Sequence, residues 1–171
     1  WETVQAITFA VGYNGPLFIR VSRAPVPEIA RPAGATFTFG KAEELRGGRD
    51  AYILANGVML HRALEAAEAL AADGVDAGVM NVSSIAPLDV ESIQRAAATG
   101  AVVTVEEGST RGGLGGAVAE VIATSAPARL KVLGFPGFAP TGSVDFLFEH
   151  FGLTSAGIAD AVRSVTSSPK A

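Results

Sequence analysis

Apolar and polar positions change period along this chain, and the changes lay out strands alternating with helices. Short apolar, β-branched runs occur at AYILAN (51–56), DAGVM (76–80), AVVTVE (101–106) and LKVLGF (130–135), each about twenty-five residues after the last. Between them the period is helical. In residues 58–74, Leu60, Leu64, Ala67 and Ala71 recur on one face while His61, Glu65 and Glu68 make the other polar. Gly74 suits the left-handed cap that ends this helix. A second helix starts within PLDVESIQ (87–94), where Asp89 can accept first-turn amide hydrogens and Glu91 suits the positive helix end, and Gly100 stops it. A third begins inside a glycine-rich stretch and runs through Ala117, Val118, Val121 and Ile122. Ser143 caps SVDFLFEHFG (143–152), and Thr154 precedes a last helix striped by Ile158, Ala161, Val162 and Val165.

Strands and helices alternating at these lengths predict a parallel sheet with right-handed crossovers and helices on both faces. One strand breaks the rule. TFTF (36–39) is separated from Tyr52 by GKAEELRGGRDA, which is shorter than a parallel crossover requires, so it is expected to pair antiparallel. The prediction is an α/β fold of three layers, α/β/α, on a mixed, mostly parallel five-stranded sheet whose first strand is antiparallel. Ahead of it PLFIRV (16–21) reads as another buried strand, followed by APVPEIARPAG (24–34), where Pro25, Pro27 and Pro32 and the lack of helical period mark a linker. The expected division is residues 1–24 as the end of a different domain, 25–35 as linker, 36–166 as the α/β domain and 167–171 as a frayed tail. Because the chain opens on Trp1 rather than Met, most of that first domain is expected to lie upstream.

A hydrophobic fraction of 49% is ample for a core. The formal charge of -4, from 13 basic and 17 acidic side chains, provides no positive field to gather a polyanion, which argues against nucleic-acid partners. The absence of cysteine excludes disulfides, thiolate metal sites and a cysteine nucleophile, and agrees with a reducing compartment, the cytoplasm by default. No apolar run approaches the roughly eighteen residues of a membrane span, so no membrane partner is expected. His61 and His150 lie far apart without carboxylates at metal-ligand spacing, so they read as half-exposed or helix-end residues and no metal site is predicted. Neither Ser109 nor Ser143 sits in a nucleophile elbow.

The remaining candidate is VEEGSTRGGLGGAVAEV (105–121). A strand, glycines and a helix start are the geometry that presents amide hydrogens and a helix dipole to an anion. The spacing does not fit: Val118 stands where G-x-G-x-x-G read from Gly113 and Gly115 needs glycine, and no Gly-Lys-Ser/Thr follows. The better reading is close packing, with Gly112, Gly113, Gly115 and Gly116 letting the chain turn and the helix start approach the sheet or another subunit. Glu106 and Glu107 are adjacent on a strand, so their side chains point to opposite faces and cannot act as a paired acid and base. One of them can order the loop by accepting its amide hydrogens, a role favoured over catalysis.

The order of motifs carries a family resemblance. FIRVSRAPVP (18–27), FGKAEELRGGRDAYILANGVMLHRALEAA (39–67), NVSSIAPLDVESI (81–93), VVTVEEGSTRGGLGGAVAEV (102–121) and FGLTSAGIADAVRSV (151–165) together resemble the C-terminal part of transketolases, especially half-size subunits of the split type. Deoxyxylulose-phosphate synthases and the beta subunits of oxo-acid dehydrogenases share the same order. The resemblance implies thiamine diphosphate with Mg2+, held between an upstream diphosphate-binding domain and a pyrimidine-binding domain, of which residues 1–24 are the tail. It implies transfer of a two-carbon ketol unit between sugar phosphates, as in the pentose phosphate pathway, by a homodimer or heterotetramer. The family's cofactor-activating glutamate lies upstream, so no catalytic residue and no cofactor binding are expected of this chain alone. By position, Arg23 of the Ser22-Arg23 pair is similar to an arginine that contacts the substrate's phosphate, which suits a guanidinium fork. An ion pair between domains is the alternative for Arg23. Glu106, Glu107, Gly112 and Gly113 become candidates for a subunit interface. Ala86 stands where relatives often carry a basic residue before Pro87, so any contact made there is not carried over.

Overall fold

The computed structural model describes residues 1–23, 25–31 and 34–166. Helix α1 spans Glu2–Gly12, and the sheet then builds up through β1 (Glu43–Arg46), β2 (Ala51–Ala55), β3 (Ala77–Asn81), β4 (Ala101–Ser109) and β5 (Arg129–Phe135). Helices α2 (Leu60–Ala72), α3 (Val90–Ala97), α4 (Leu114–Ser125), α5 (Val144–His150) and α6 (Ser155–Thr166) fill the connections, with a short 3-10 turn at Gly57–Met59 leading into α2. The strand order is β1-β3-β2-β4-β5. β1 runs antiparallel to β3, and the other pairs are parallel, with Ala51 opposite Ala77 and Tyr52 opposite Val102.

Every residue of β2 and β3 is buried, the continuous apolar signature of strands covered on both faces. Alternation along them feeds two cores. Ile53, Val79 and Val103 pack under α2 and α6 with Leu70, Ile158 and Val162. Tyr52, Leu54, Met80 and Val102 pack on the opposite face with Ile93 of α3 and Leu114, Val118 and Ile122 of α4. The expected three-layer α/β/α fold with one antiparallel strand is therefore present.

Helix ends follow the expected chemistry. The Asp89 carboxylate accepts from the Ser92 amide, Ser143 Oγ accepts from Phe146 N–H, and Thr154 Oγ1 accepts from Gly157 N–H. Gly74 and Gly100 turn the chain at φ of 81° and 82°.

Two local expectations are corrected, and one further element is found. The antiparallel strand is Glu43–Arg46, not TFTF (36–39). Phe37 and Phe39 turn instead to Phe9 on α1, at centroid distances of 6.2 and 4.8 Å, and Tyr13 meets Phe39 at 5.6 Å. Their alternation serves an aromatic clasp, while the polar EELR takes the half-buried sheet edge. PLFIRV (16–21) forms no strand, because no described strand pairs with it and an unpaired strand leaves its backbone groups to water. Residues 2–12, for which no helix was expected, form α1, which buries none of its residues and leaves Val4, Ile7 and Val11 exposed. The expected frayed tail, 167–171, lies outside the described residues.

Candidate functional site

The strand order reverses between β2 and β4, and in open α/β sheets the carboxyl ends of strands at such a point are where ligands collect. Here that edge is shaped by the end of β4 and the start of α4. Ala101 to Val105 are fully buried, and Glu106 is only 5% exposed although it carries a carboxylate. The glycine loop explains how that charge is held. Gly113 is the N-cap of α4 and has no side chain to satisfy the helix's free amides, and Glu106 Oε1 accepts from Gly115 N–H at 3.2 Å in its stead. A carboxylate at this positive helix end is stabilised by the dipole. The anion position that the loop offers is thus filled by the protein's own Glu106.

The glycines of the loop differ in what they need. A Cβ on Gly113 would stand 2.4 Å from Glu106 Oε2, so only glycine leaves room for the carboxylate. A Cβ on Gly115 would meet Val132 Cγ1 at 2.4 Å and Thr104 Oγ1 at 3.2 Å, which measures how closely α4 approaches the sheet. Gly112 turns at φ 74°, and a Cβ on Gly116 would meet nothing within 4 Å. Glu107 is half-buried on the other side of the strand, and Gly112 is exposed.

The structure brings one further residue to this edge. Arg20 Nη2 donates to the Glu107 carbonyl at 2.5 Å, and its Nη1 lies 3.3 Å from where a Gly108 Cβ would be, a point also 3.0 Å from Glu106 Oε2. Reading residues 16–21 as a buried strand hid this role, although Arg20 sits inside the FIRVSR motif. Arg23 is exposed, three residues further along.

A second polar cluster joins α1 to the domain. Arg31 Nε donates to both Glu43 oxygens at 2.9 and 3.0 Å, and its guanidinium lies 4.6 Å from the Trp1 ring centroid. Asn81 Nδ2 donates to Glu2 Oε1 at 2.5 Å. Beside them is a cleft of about 160 Å³ lined by Trp1, Glu2, Phe37, Lys41 and Ser83 among others. Asp89 does more than cap α3. It also accepts from Lys41 Nζ at 3.2 Å and Ala42 N–H at 3.1 Å, tying α3 to the start of β1. Burial pushes its carboxyl up, but the hydrogen bonds from Ala42, Ser92 and Lys41 outweigh that and hold it below its ordinary value.

The histidines stand apart from this edge. His61 is half-buried with its pKa lowered, first by burial and then by the neighbouring Arg62. His150 is exposed at the end of α5, against Phe146 at 5.7 Å. Among the described residues no three His, Asp or Glu side chains gather as a metal site, and no helix is long and apolar enough to cross a membrane.

Known proteins share both the sequence and the fold. Residues 40–158 match the family model described as transketolase, C-terminal domain. The chain is 44% identical over 158 residues to a 6-deoxy-6-sulfo-D-fructose transketolase subunit of Clostridium sp., covering 91% of this chain and 49% of that subunit. It is 37% identical to an apulose-4-phosphate transketolase subunit of Phocaeicola vulgatus, covering 92% of this chain and 51% of the other. A 1-deoxy-D-xylulose-5-phosphate synthase of Syntrophotalea carbinolica is 36% identical over 95% of this chain but only 26% of its own. Among solved structures, a split-gene transketolase described as an inactive beta4 tetramer superposes with a TM-score of 0.91 at 37% identity, over 96% of this chain and 55% of that one. The chain thus spans about half the length of the transketolase subunits it matches. Matched over residues 40–158 by sequence and nearly throughout by fold, the chain belongs to the transketolase C-terminal domain family.

Proposed function

We propose that this chain is the terminal part of a cytoplasmic, thiamine diphosphate-dependent transketolase subunit, whose complete enzyme moves a two-carbon ketol unit between sugar phosphates. Residues 1–24 are the tail of a pyrimidine-binding domain, 25–35 the linker and 36–166 the terminal domain. A second subunit or an upstream domain supplies diphosphate binding, in a homodimer or heterotetramer. The observation that carries the reading is the match over 96% of the chain to a split-gene transketolase at a TM-score of 0.91, together with two half-size transketolase subunits at 44% and 37% identity.

The residues present do not fit the cofactor itself. Among the described residues no group of three His, Asp or Glu side chains gathers for Mg2+, and Gly115 N–H, one of the amides at the start of α4, is already bonded to Glu106. On this reading no step through thiamine diphosphate falls to this chain's residues. Its proposed contributions are Arg23, which is exposed, for a substrate phosphate, and the β4–α4 edge, where Glu107, Gly112 and Gly113 are open to a neighbouring subunit while the buried Glu106 orders the loop behind them.

The test is Arg23→Ala in the complete enzyme, assayed with a ketose phosphate donor and with an unphosphorylated one. Hydrogen bonds to charged groups contribute about 1.5–3 kcal/mol, so kcat/KM for the phosphorylated donor is expected to fall roughly 10- to 100-fold. The unphosphorylated donor is expected to react unchanged. Equal losses for both donors contradict the assignment. Identity of 36% to a 1-deoxy-D-xylulose-5-phosphate synthase favours a second reading, in which the chain is the corresponding domain of such a synthase. Formation of 1-deoxy-D-xylulose 5-phosphate in place of ketol transfer by the complete enzyme selects it.

A further inference from the structure

The geometry points to Arg20 as a positioning residue for Arg23. By gripping the carboxyl end of β4, Arg20 fixes the segment that presents Arg23 to the substrate's phosphate, an inference that rests on the function proposed above. Residues 16–22 have no strand to pair with, and only Leu17 and Ile19 among 16–22 are half-buried rather than exposed. Without a strand ladder, a side-chain bond such as that of Arg20 helps to place the segment. Arg20 supplies one such hold. Its Nη2 donates to the Glu107 carbonyl at 2.5 Å. Its Nη1 and Glu106 Oε2 lie 3.3 and 3.0 Å from the place a Gly108 Cβ would take.

What Arg20 grips is rigid. Glu106 is 5% exposed and its Oε1 is bonded to Gly115 N–H, so β4, the glycine loop and α4 form one unit. Arg23 follows three residues later, within about 10 Å along the chain, so its reach is set by that anchor. Releasing the anchor spreads Arg23 over more conformations, and binding a phosphate must then order them again. Arg20 spends Nη2 on the Glu107 carbonyl rather than on the phosphate. Lysine, a point charge with no planar fork, can keep the bond to the carbonyl but fixes its geometry less.

The experiment measures Arg20→Ala, Arg20→Lys, Arg23→Ala and the double variant in the complete enzyme, with phosphorylated and unphosphorylated ketose donors. Arg20→Ala is expected to raise KM for the phosphorylated donor about fivefold to tenfold, and to leave its kcat and both constants for the unphosphorylated donor unchanged. Arg20→Lys recovers part of the loss. On the Arg23→Ala background, Arg20→Ala adds less than about twofold, because a residue that acts through Arg23 has nothing left to place. Equal losses for both donors, no change of KM, or full multiplication of the two single losses overturns the inference. If Arg20→Ala does not fold, Gly108→Ala, whose methyl enters between Arg20 and Glu106, is read by the same criteria. The two claims fail separately. Loss of donor discrimination in Arg23→Ala but not in Arg20→Ala overturns only the positioning role, whereas intact discrimination in Arg23→Ala overturns the phosphate assignment beneath it.

Discussion

At the scale of single residues, the chain places two carboxylates in buried positions and satisfies each by a different route. Glu106 is held by the amide at the start of α4, and Asp89 by Ser92, Lys41 and Ala42. Replacing Asp89 with Ala removes a cap and leaves those donors unpaired, so a loss of about 2 kcal/mol in unfolding free energy is expected by urea denaturation. Its pH dependence has a definite sign. The folded carboxyl titrates below the ordinary value of 3.8, so its contribution is complete above that pH and is lost as pH falls through the lower folded value. The stability gap between the wild type and Asp89→Asn is therefore expected to be constant near neutral pH and to close in the acid range below 3.8. A gap that widens on acidification contradicts this. The capping role of Asp89 was legible in PLDVESIQ, but Lys41 and Ala42 were not, because their contact with Asp89 joins residues 47 and 48 positions apart. Arg20 escaped for a related reason. A side chain's partner across the fold leaves no local period to read.

At the scale of elements, the four parallel strands were legible because buried strands are apolar runs and their crossovers are helical. TFTF imitates an antiparallel strand because alternation has the same appearance on a sheet and in an aromatic clasp. Phe37 and Phe39 answer to Phe9 of α1, a helix that buries none of its residues and leaves Val4, Ile7 and Val11 exposed, so it shows no single core-facing stripe. The glycine loop was read as close packing, and the contacts of Gly115 with Val132 and Thr104 give that reading a test. Gly115→Ala forces a methyl into occupied space, and a loss of about 1–3 kcal/mol is expected by chemical denaturation. Gly116→Ala, with open space around its Cβ, is expected to gain about 0.5–1 kcal/mol from the lost freedom of the unfolded chain. Equal effects at the two positions contradict the packing argument.

At the scale of the whole molecule, this chain carries the fold, the family match and the edge at the end of β4. The chain spans about half of the half-size transketolase subunits it matches, and among its described residues no set of ligands for a metal diphosphate converges. On the proposed reading it is a scaffold that presents Arg23 and contacts a neighbouring subunit, with the coenzyme held elsewhere. The most direct measurement is calorimetric titration of thiamine diphosphate with Mg2+ into residues 1–171 alone and into the complete assembled enzyme. Saturable heat is expected from the complete enzyme and none from the isolated chain. Tight, stoichiometric binding by residues 1–171 alone contradicts the account.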